Sequence, residues 1–192
     1  GTNLGMAIIR EHLASKGLGL HCDLQNEHSI VANNIALLLM LNYGSEEQKA
    51  TWVEKLAAGD AMFAFGITEP KHGSDATHME TVAHKTSNGW IIQGEKTWNS
   101  GIHSAPADLI FARTSGKAGD ADGITAFLVP TDSAGFKLEE LLWTFNMPTD
   151  HGRVSLEKVR VPETSILGTE GKGLQIVQHF FNENRIRQAA SS

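Results

Sequence analysis

The chain has 192 residues, of which 41% are hydrophobic and 20% charged, a composition typical of a globular protein long enough to bury its own core. Its formal net charge of −6 opposes broad binding to nucleic acids or to anionic membranes. The single cysteine, Cys22, excludes an internal disulfide framework and a thiolate metal cluster, and no apolar run is long enough to cross a bilayer.

Apolar periodicity predicts helices over residues 1–60. The apolar stripes of the first two helices consist of Ile8, Ile9 and Leu13, and of Ile30, Val31, Asn34, Ile35, Leu38 and Leu39. A third helix is predicted to begin with a capping box at Ser45 and Gln48 and to end at Gly59. Its predicted buried face consists of Trp52, Val53 and Leu56.

Beyond residue 62 the pattern changes to short β-rich runs. Strands are predicted over residues 63–68, 81–86, 90–98, 108–114, 124–129 and 153–161. The tripeptide Ser87-Asn88-Gly89 predicts a hairpin turn between two of them. Several short strands at regular spacing predict a small barrel or sandwich. The glycine-bearing turn at residues 168–173 then leads into a last helix, so the predicted fold class is α+β.

Two short segments concentrate polar and backbone-permissive residues where strands are predicted to end. Residues 67–75 are Ile-Thr-Glu-Pro-Lys-His-Gly-Ser-Asp, and residues 94–101 are Gly-Glu-Lys-Thr-Trp-Asn-Ser-Gly. Pro70 makes the residue before it extended and ends strand pairing, so the chain must leave the sheet there. Hydroxyls and free N–H groups beside an indole can hold a planar heterocycle such as a flavin. The residues by themselves leave this as one option among several.

In order and spacing these segments resemble the acyl-CoA dehydrogenase family, whose middle domain carries T-E-P-x-x-G-S-D and then G-x-K-x-W-[IN]-[TS]. The resemblance covers nearly the whole chain. It implies an N-terminal helical part over residues 1–61, a middle β-domain that binds flavin and acyl-CoA over 62–165, and the start of a C-terminal helical bundle over 166–192. It also implies FAD as cofactor, an acyl-CoA as substrate and a 2-enoyl-CoA as product.

The resemblance implies specific cofactor contacts. Thr68 would hydrogen-bond the pyrimidine part of the flavin, and Trp98 would lie against the isoalloxazine ring on the face away from substrate. Ser100 replaces the commoner threonine but keeps a hydroxyl that can reach the reactive side of the ring, while Asn99 stands where isoleucine is common. The predicted cofactor contacts are Phe65, Gly66, Ile67, Thr68, Gly73, Ser74, Trp98, Asn99 and Ser100.

The resemblance also implies substrate contacts. Ser74 would lie where the flavin phosphates and acyl-CoA meet, and Thr114 where the backbone contacts the pantetheine chain. Arg185 matches an arginine kept beside the acyl-CoA, and Asn182, where aspartate is common, precedes it by three residues on the same helix face. Asn184 stands where some members keep a catalytic glutamate, so no catalytic residue is assigned.

The catalytic base is expected in a C-terminal region outside this sequence. The chain begins without methionine and stops inside a predicted helix, which favours a piece of a longer protein. Such a piece is expected not to oxidise acyl-CoA by itself. Residues 148–151, Pro-Thr-Asp-His, replace a glycine- and arginine-rich stretch that is common in the family, and this obscures the substrate class. The histidine spacing fits no metal site.

The resemblance further implies an electron-transfer flavoprotein as electron acceptor, assembly as a homodimer or homotetramer, and a cytoplasmic location, or the mitochondrial matrix in a eukaryote. Two alternatives stay open. One is an oxidase or flavin-dependent monooxygenase on the same scaffold, since oxygen access depends on packing around the flavin. The other is a non-catalytic binding module that has lost the flavin site.

Overall fold

Helices flank a run of β-strands in the computed structural model, which describes residues 3–17, 35–144 and 147–191. The helices are α1 (Asn3–Ser15), α2 (Ile35–Tyr43), α3 (Glu46–Ala58) and α4 (Gly173–Ser191). The strands are β1 (Phe63–Gly66), β2 (Val82–Thr86), β3 (Gly89–Ser100), β4 (Ala107–Arg113), β5 (Ile124–Pro130), β6 (Phe136–Thr144), β7 (Met147–Val161) and β8 (Ile166–Leu167). No helix in these ranges is long and apolar enough to cross a membrane.

Helix α3 begins and ends where the sequence predicts. The Ser45 hydroxyl accepts the N–H of Gln48 at 3.1 Å, and the Gln48 side chain accepts the N–H of Ser45 at 3.0 Å, which is the reciprocal capping box. Gly59 ends the helix with φ 82°, a conformation that glycine adopts without steric cost. The predicted stripe of the second helix is described only from Ile35 onward, because residues 30, 31 and 34 lie outside the described ranges.

The strands form one mixed sheet of eight in the order β6-β7-β3-β2-β4-β5-β8, with β1 paired to β4 outside this path. The pairing of β1 with β4 is parallel, from Phe63 opposite Ala107 to Gly66 opposite Ile110. Most other pairs are antiparallel, and β2 touches β4 through the single parallel pair Val82 and Arg113. The C-terminal ends of β1 and β4 therefore lie at the same edge of the sheet.

The sheet curls around an apolar cluster. Trp90 on β3 and Phe127 on β5 are in edge-to-face contact at 5.5 Å between ring centroids. In a flat sheet these strands would be about 14 Å apart, since two strands separate them. The inner cluster is made of residues such as Ile92, Ile110 and Val154. The outer face of β4 and β5 packs against the helices, so these two strands are buried on both faces.

The sequence prediction lacks β6, the two-residue strand β8 and the first part of β7. Two register shifts between β6 and β7, at Leu138/Glu140 and Leu141/Trp143, interrupt the two-residue alternation that identifies a strand. Strand β7 begins at Met147, six residues before its predicted start at residue 153. Pro148 stands in the part of β7 that pairs only with β6, where a missing N–H is tolerated.

Candidate functional site

The two segments singled out in the sequence lie side by side at the end of β1. The N–H of Thr97 donates to the carbonyl of Thr68 at 2.9 Å. Beyond Thr68 the chain turns back on itself, because Glu69 and His72 exchange backbone hydrogen bonds of 3.0 and 3.1 Å. This turn presents Ser74 and its neighbouring glycine, both exposed, at the same edge.

A buried ion pair holds the two segments together from beneath. The Lys96 ammonium lies 2.9 Å from Glu69 Oε1 and 3.3 Å from the carbonyl of Ile67, and the Lys96 side chain has no exposed surface. The Glu69 carboxylate also accepts the N–H groups of Glu80 and Thr81 at 2.6 and 2.9 Å. Burial would raise the pKa of Glu69, but Lys96 and these N–H donors together lower it. Each strand end is thereby held in register with the other.

Trp98 stands at a break in the pairing of β3 with β7. The register shifts between Thr97 and Asn99, and Trp98 has φ 66°, a conformation that bulky side chains rarely adopt. As a result the indole is turned out of the sheet and 47% of its surface is exposed. A large aromatic face at a strained, solvent-facing position suits a stacked planar ligand better than a core role.

Ser100 has a partner that the sequence does not reveal. Its hydroxyl oxygen lies 2.9 Å from Nδ1 of His151, since Ser100 and His151 are directly opposite on β3 and β7. The same nitrogen is 3.2 Å from Asp150 Oδ1. The imidazole is also edge-on to Trp98, with ring centroids 6.2 Å apart. In the sequence, residues 148–151 signal only a departure from the family pattern, because the register that joins them to Ser100 is a long-range contact.

Several predicted cofactor residues are turned inward. Gly66 and Ile67 are buried, and Phe65 stacks on Phe180 of α4 at 4.2 Å between ring centroids. The Asn99 side chain is completely buried and donates to Asp108. The whole residue, backbone included, has no exposed surface in this structure, so its predicted cofactor contact has no support from exposure and stays a prediction. The predicted contacts of the other three residues stay predictions.

Asp108 lies inside the curled sheet, and no charged side chain in the described part of the chain is within hydrogen-bond distance of it. It alternates with Ala107 and Leu109 along β4 and so shares the inner face of that strand with Ile110. Its Oδ1 has no hydrogen-bond partner among the described residues. Burial raises the pKa of Asp108 to about 7, against the opposing effects of Asn99 and Lys96.

The outward-facing residues fit a flavin. The side-chain hydroxyls of Thr68 and Ser74 have no hydrogen-bond partner among the described residues, so both can form hydrogen bonds to a ligand. Gly73 has open space where a Cβ would stand, with no heavy atom within 4 Å, so its backbone can be approached closely. With the exposed indole of Trp98, this edge offers an aromatic face flanked by polar groups.

Thr114 follows β4 at the same edge. Its N–H donates to the carbonyl of Gly123 at 2.8 Å, so the predicted backbone contact with pantetheine can involve only its carbonyl group. The preceding residue, Arg113, is buried, and its guanidinium donates to four backbone carbonyls. These belong to Thr77, Ser115, Asp120 and Asp122. Arg113 therefore organises the loop after β4 from inside and is not a surface residue.

Helix α4 carries the remaining predicted substrate residues. Asn182 and Arg185 are exposed, and the Arg185 guanidinium lies over the ring of Phe181, 5.5 Å from its centroid. Because Phe180 stacks on Phe65, this helix passes over the strand that leads into the site. The side chains at positions 183 and 184 lie outside the described ones.

The family model of the acyl-CoA dehydrogenase middle domain matches residues 64–159, half of the chain. The chain belongs to the acyl-CoA dehydrogenase family. The matched residues run from the second residue of β1 to two residues before the end of β7. They include both segments at the site, together with Ser100 and His151. The resemblance inferred from the two motifs is confirmed.

Similar acyl-CoA dehydrogenases extend the match to nearly the whole chain. A glutaryl-CoA dehydrogenase from Desulfococcus multivorans is 34% identical over 188 residues, 97% of this chain and 47% of that protein. The structure of an acyl-CoA dehydrogenase from Geobacillus kaustophilus superposes with a TM-score of 0.79 at 29% identity, over 97% of this chain and 48% of that one.

A second solved structure is informative about the cofactor of a relative. A glutaryl-CoA dehydrogenase from Mycobacterium smegmatis, in complex with FADH2, superposes with a TM-score of 0.74 at 32% identity, over 91% of this chain and 45% of that one. The predicted acyl-CoA dehydrogenase-like fold is therefore confirmed. The chain spans about half the length of the relatives it matches.

Proposed function

We propose that these residues form the flavin- and acyl-CoA-binding part of an FAD-dependent acyl-CoA dehydrogenase that converts an acyl-CoA thioester to the 2-enoyl-CoA. The observation that carries the proposal is the bond between Thr97 and Thr68, which joins two motifs 29 positions apart into one edge. That edge combines the free hydroxyls of Thr68 and Ser74 with the exposed indole of Trp98. Family membership supports the same assignment.

Different residues of this edge contact different parts of the cofactor in this proposal. FAD supplies, when bound, an acceptor for the hydride that leaves the β-carbon. Trp98 provides an aromatic face for the ring system, and Thr68 and Ser100 supply hydroxyls at its polar edges. The buried Glu69–Lys96 pair orients the two segments before a ligand arrives, so less ordering accompanies binding.

In this proposal the substrate lies along the edge from Ser74 to Thr114 and next to α4. The exposed side chains of Asn182 and Arg185 on that helix are available to contact it. Arg185 supplies a positive group for an anionic part of the acyl-CoA. Removal of the weakly acidic α-proton requires a carboxylate held in a dry site. We assign no proton acceptor within these 192 residues and place it in another part of the protein.

The proposal includes the setting in which the enzyme works. Electrons pass to an electron-transfer flavoprotein, and the protein assembles as a homodimer or homotetramer. Its compartment is the cytoplasm, or the mitochondrial matrix in a eukaryote. A relative named for glutaryl-CoA makes short acyl-CoA thioesters the first substrates to test.

An anaerobic titration of the purified full-length holoprotein, which includes the part that holds the proton acceptor, with a panel of acyl-CoA thioesters tests the function. We expect at least one thioester to bleach the visible band of the bound flavin. A Thr68→Val variant, which keeps the shape but loses the hydroxyl, should bind FAD more weakly, while the exposed Thr51→Val on α3 should not.

Each other result contradicts a different part of the proposal. A bound flavin that no acyl-CoA bleaches would contradict acyl-CoA dehydrogenation, and a protein that takes up no FAD would contradict the flavin site itself. After bleaching, rapid reoxidation by oxygen with release of peroxide, without reduction of an electron-transfer flavoprotein, would instead identify an oxidase.

A further inference from the structure

Ser100 forms a hydrogen bond with His151. The inference drawn from this contact rests on the proposed function and adds a positioning role for His151 to it. Ser100 Oγ and His151 Nδ1 are 2.9 Å apart, and Asp150 Oδ1 is 3.2 Å from the same nitrogen. The imidazole also stands edge-on to Trp98. The three side chains Ser100, His151 and Asp150 are therefore a connected group beside the aromatic face assigned to the flavin.

The chemistry of these groups determines where the hydrogen atoms lie. An ionised carboxylate accepts hydrogen bonds and has none to donate. Asp150 thus favours a proton on the Nδ1 atom that it faces, because a bare nitrogen lone pair would repel it. A protonated Nδ1 carries one hydrogen and cannot accept from Ser100. The contact with Ser100 Oγ is the shorter one, 2.9 Å against 3.2 Å to Asp150, so the Ser100 oxygen accepts that hydrogen while Asp150 stabilises it by its charge. The hydrogen of the Ser100 hydroxyl is then free to point away from His151.

We propose that Asp150 and His151 set the direction of the Ser100 hydroxyl, so that Ser100 donates a hydrogen bond to an acceptor atom at the reactive edge of the flavin. His151 is a positioning residue in this arrangement, because it acts through Ser100 and not on the cofactor itself. The alternative is a bare Nδ1 that accepts from Ser100. In that case the Ser100 oxygen could offer the flavin only a lone pair.

The proton on His151 can be observed directly. Nitrogen chemical shifts of the imidazole, assigned by their loss in His151→Phe, distinguish a protonated from a bare Nδ1. We expect a protonated Nδ1, and in Asp150→Asn we expect the population of the tautomer with a bare Nδ1 to rise. A bare Nδ1 in the parent protein would overturn the proposal. This measurement needs no bound FAD, so it stands even where the proposed flavin site fails.

The effect on the cofactor is measured in the holoprotein. Loss of one hydrogen bond predicts roughly fivefold weaker FAD binding, with a shifted visible spectrum, in Ser100→Ala. We expect His151→Phe to cause a similar change in the parent protein and none in the Ser100→Ala background, because His151 acts through the serine. The double-variant comparison thus separates positioning from a direct contact.

Two further variants serve as controls. Ser100→Thr keeps the hydroxyl and should retain both the affinity and the spectrum. His84→Phe changes an exposed histidine on β2 and should leave both unchanged. Additive effects of His151→Phe and Ser100→Ala would overturn the proposal, as would an unchanged flavin spectrum in His151→Phe. Unfolding midpoints of all variants identify any that act by destabilising the fold.

Discussion

Asp108 is an ionisable residue in the interior of the protein. It is completely buried, next to Asn99 and with one carboxyl oxygen unpartnered among the described residues. Removal from water disfavours the charged form, which is why burial raises its pKa to about 7 from an ordinary value of 3.8. At neutral pH a substantial fraction of Asp108 is thus protonated and can donate to a neighbour.

This environment predicts a dependence of stability on pH. Between pH 4 and 7 the folded state holds a proton on Asp108 that the unfolded state has lost, so the contribution of Asp108 to stability falls as pH rises through this window. Asp108→Asn removes this dependence. As pH rises through the window, the unfolding free energy of Asp108→Asn should increase relative to that of the parent protein by up to about 1.4 kcal/mol per pH unit.

Urea unfolding at several pH values from 5 to 8 measures this difference. The exposed Asp132→Asn is the matched control and should give a difference that does not vary with pH. Parallel curves for Asp108→Asn and the parent protein would show that Asp108 ionises normally in the folded state.

The ion pair of Lys96 and Glu69 predicts a large loss when one partner is removed. Lys96→Met leaves the Glu69 carboxylate buried without its cation, which costs about 3–5 kcal/mol of unfolding free energy. Lys137→Met is the control, because the pair of Lys137 with Glu139 is solvent-exposed on the lysine side and such pairs contribute about 0–1 kcal/mol.

Chemical denaturation compares the two variants. Adding Glu69→Leu to Lys96→Met should restore part of the loss, because the uncompensated charge is then gone. Equal losses in Lys96→Met and Lys137→Met would contradict the assignment of a structural role to the buried pair.

At the scale of elements, the ends of β1 and β3 create the candidate site. Strand β1 is short and ends at Gly66, after which Pro70 and the turn at residues 69–72 take the chain out of the sheet. Strand β3 continues, and the bulge at Trp98 turns the indole outward. One strand end therefore provides hydroxyls and open backbone, and its neighbour provides the aromatic face.

Two glycines of this region predict opposite outcomes when changed to alanine. A Cβ at Gly66 would lie 2.6 Å from Ile110 Cδ1 and 2.9 Å from Asn99 Nδ2, while a Cβ at Gly73 would meet no heavy atom within 4 Å. We expect Gly66→Ala to lose about 1–3 kcal/mol of unfolding free energy through overpacking. Gly73→Ala should fold as stably as the parent protein.

Gly73→Ala tests function where Gly66→Ala tests packing. If the ligand approaches the backbone at residue 73, the added methyl group should weaken FAD or acyl-CoA binding without changing the unfolding midpoint. Isothermal titration with FAD, and then with an acyl-CoA, measures this. Unchanged affinity for both ligands would remove Gly73 from the site.

At the scale of the whole molecule, α4 is the helix that closes the outer face of the sheet. Ile176 and Val177 are buried in the outer cluster, together with residues of α2, α3 and β5. Phe180 adds the stack on Phe65. The helix that carries Asn182 and Arg185 is therefore positioned by the same cluster that supports β1.

Ile176→Ala should weaken this packing. Ile176 is 1% exposed, so its truncation is expected to cost about 2–5 kcal/mol of unfolding free energy through lost burial and a cavity. Gln178→Ala, on the exposed side of the same helix, should change stability by less than about 0.5 kcal/mol. Guanidinium unfolding curves of the two variants measure these losses of stability. Equal losses would show that α4 does not pack against the sheet through Ile176.

The local patterns of the sequence determined much of the fold. The capping box at Ser45, the stop at Gly59, the hairpin turn before Trp90 and the position of most strands follow from interactions within a few residues, so a linear pattern encodes them. Both segments of the candidate site were equally visible, because each is a short contiguous motif. Strand β6 was not, because its bulges disturb the alternation by which a strand is recognised.

Only the tertiary structure decided which side chains meet across the sheet. The partnership of Ser100 with His151, the inward turn of Asn99 toward Asp108 and the burial of Arg113 among backbone carbonyls each join distant positions. Such contacts depend on strand register, and a shift of one residue would turn every side chain to the other face. A single sequence specifies that register only through the packing of the whole sheet, which no local pattern displays.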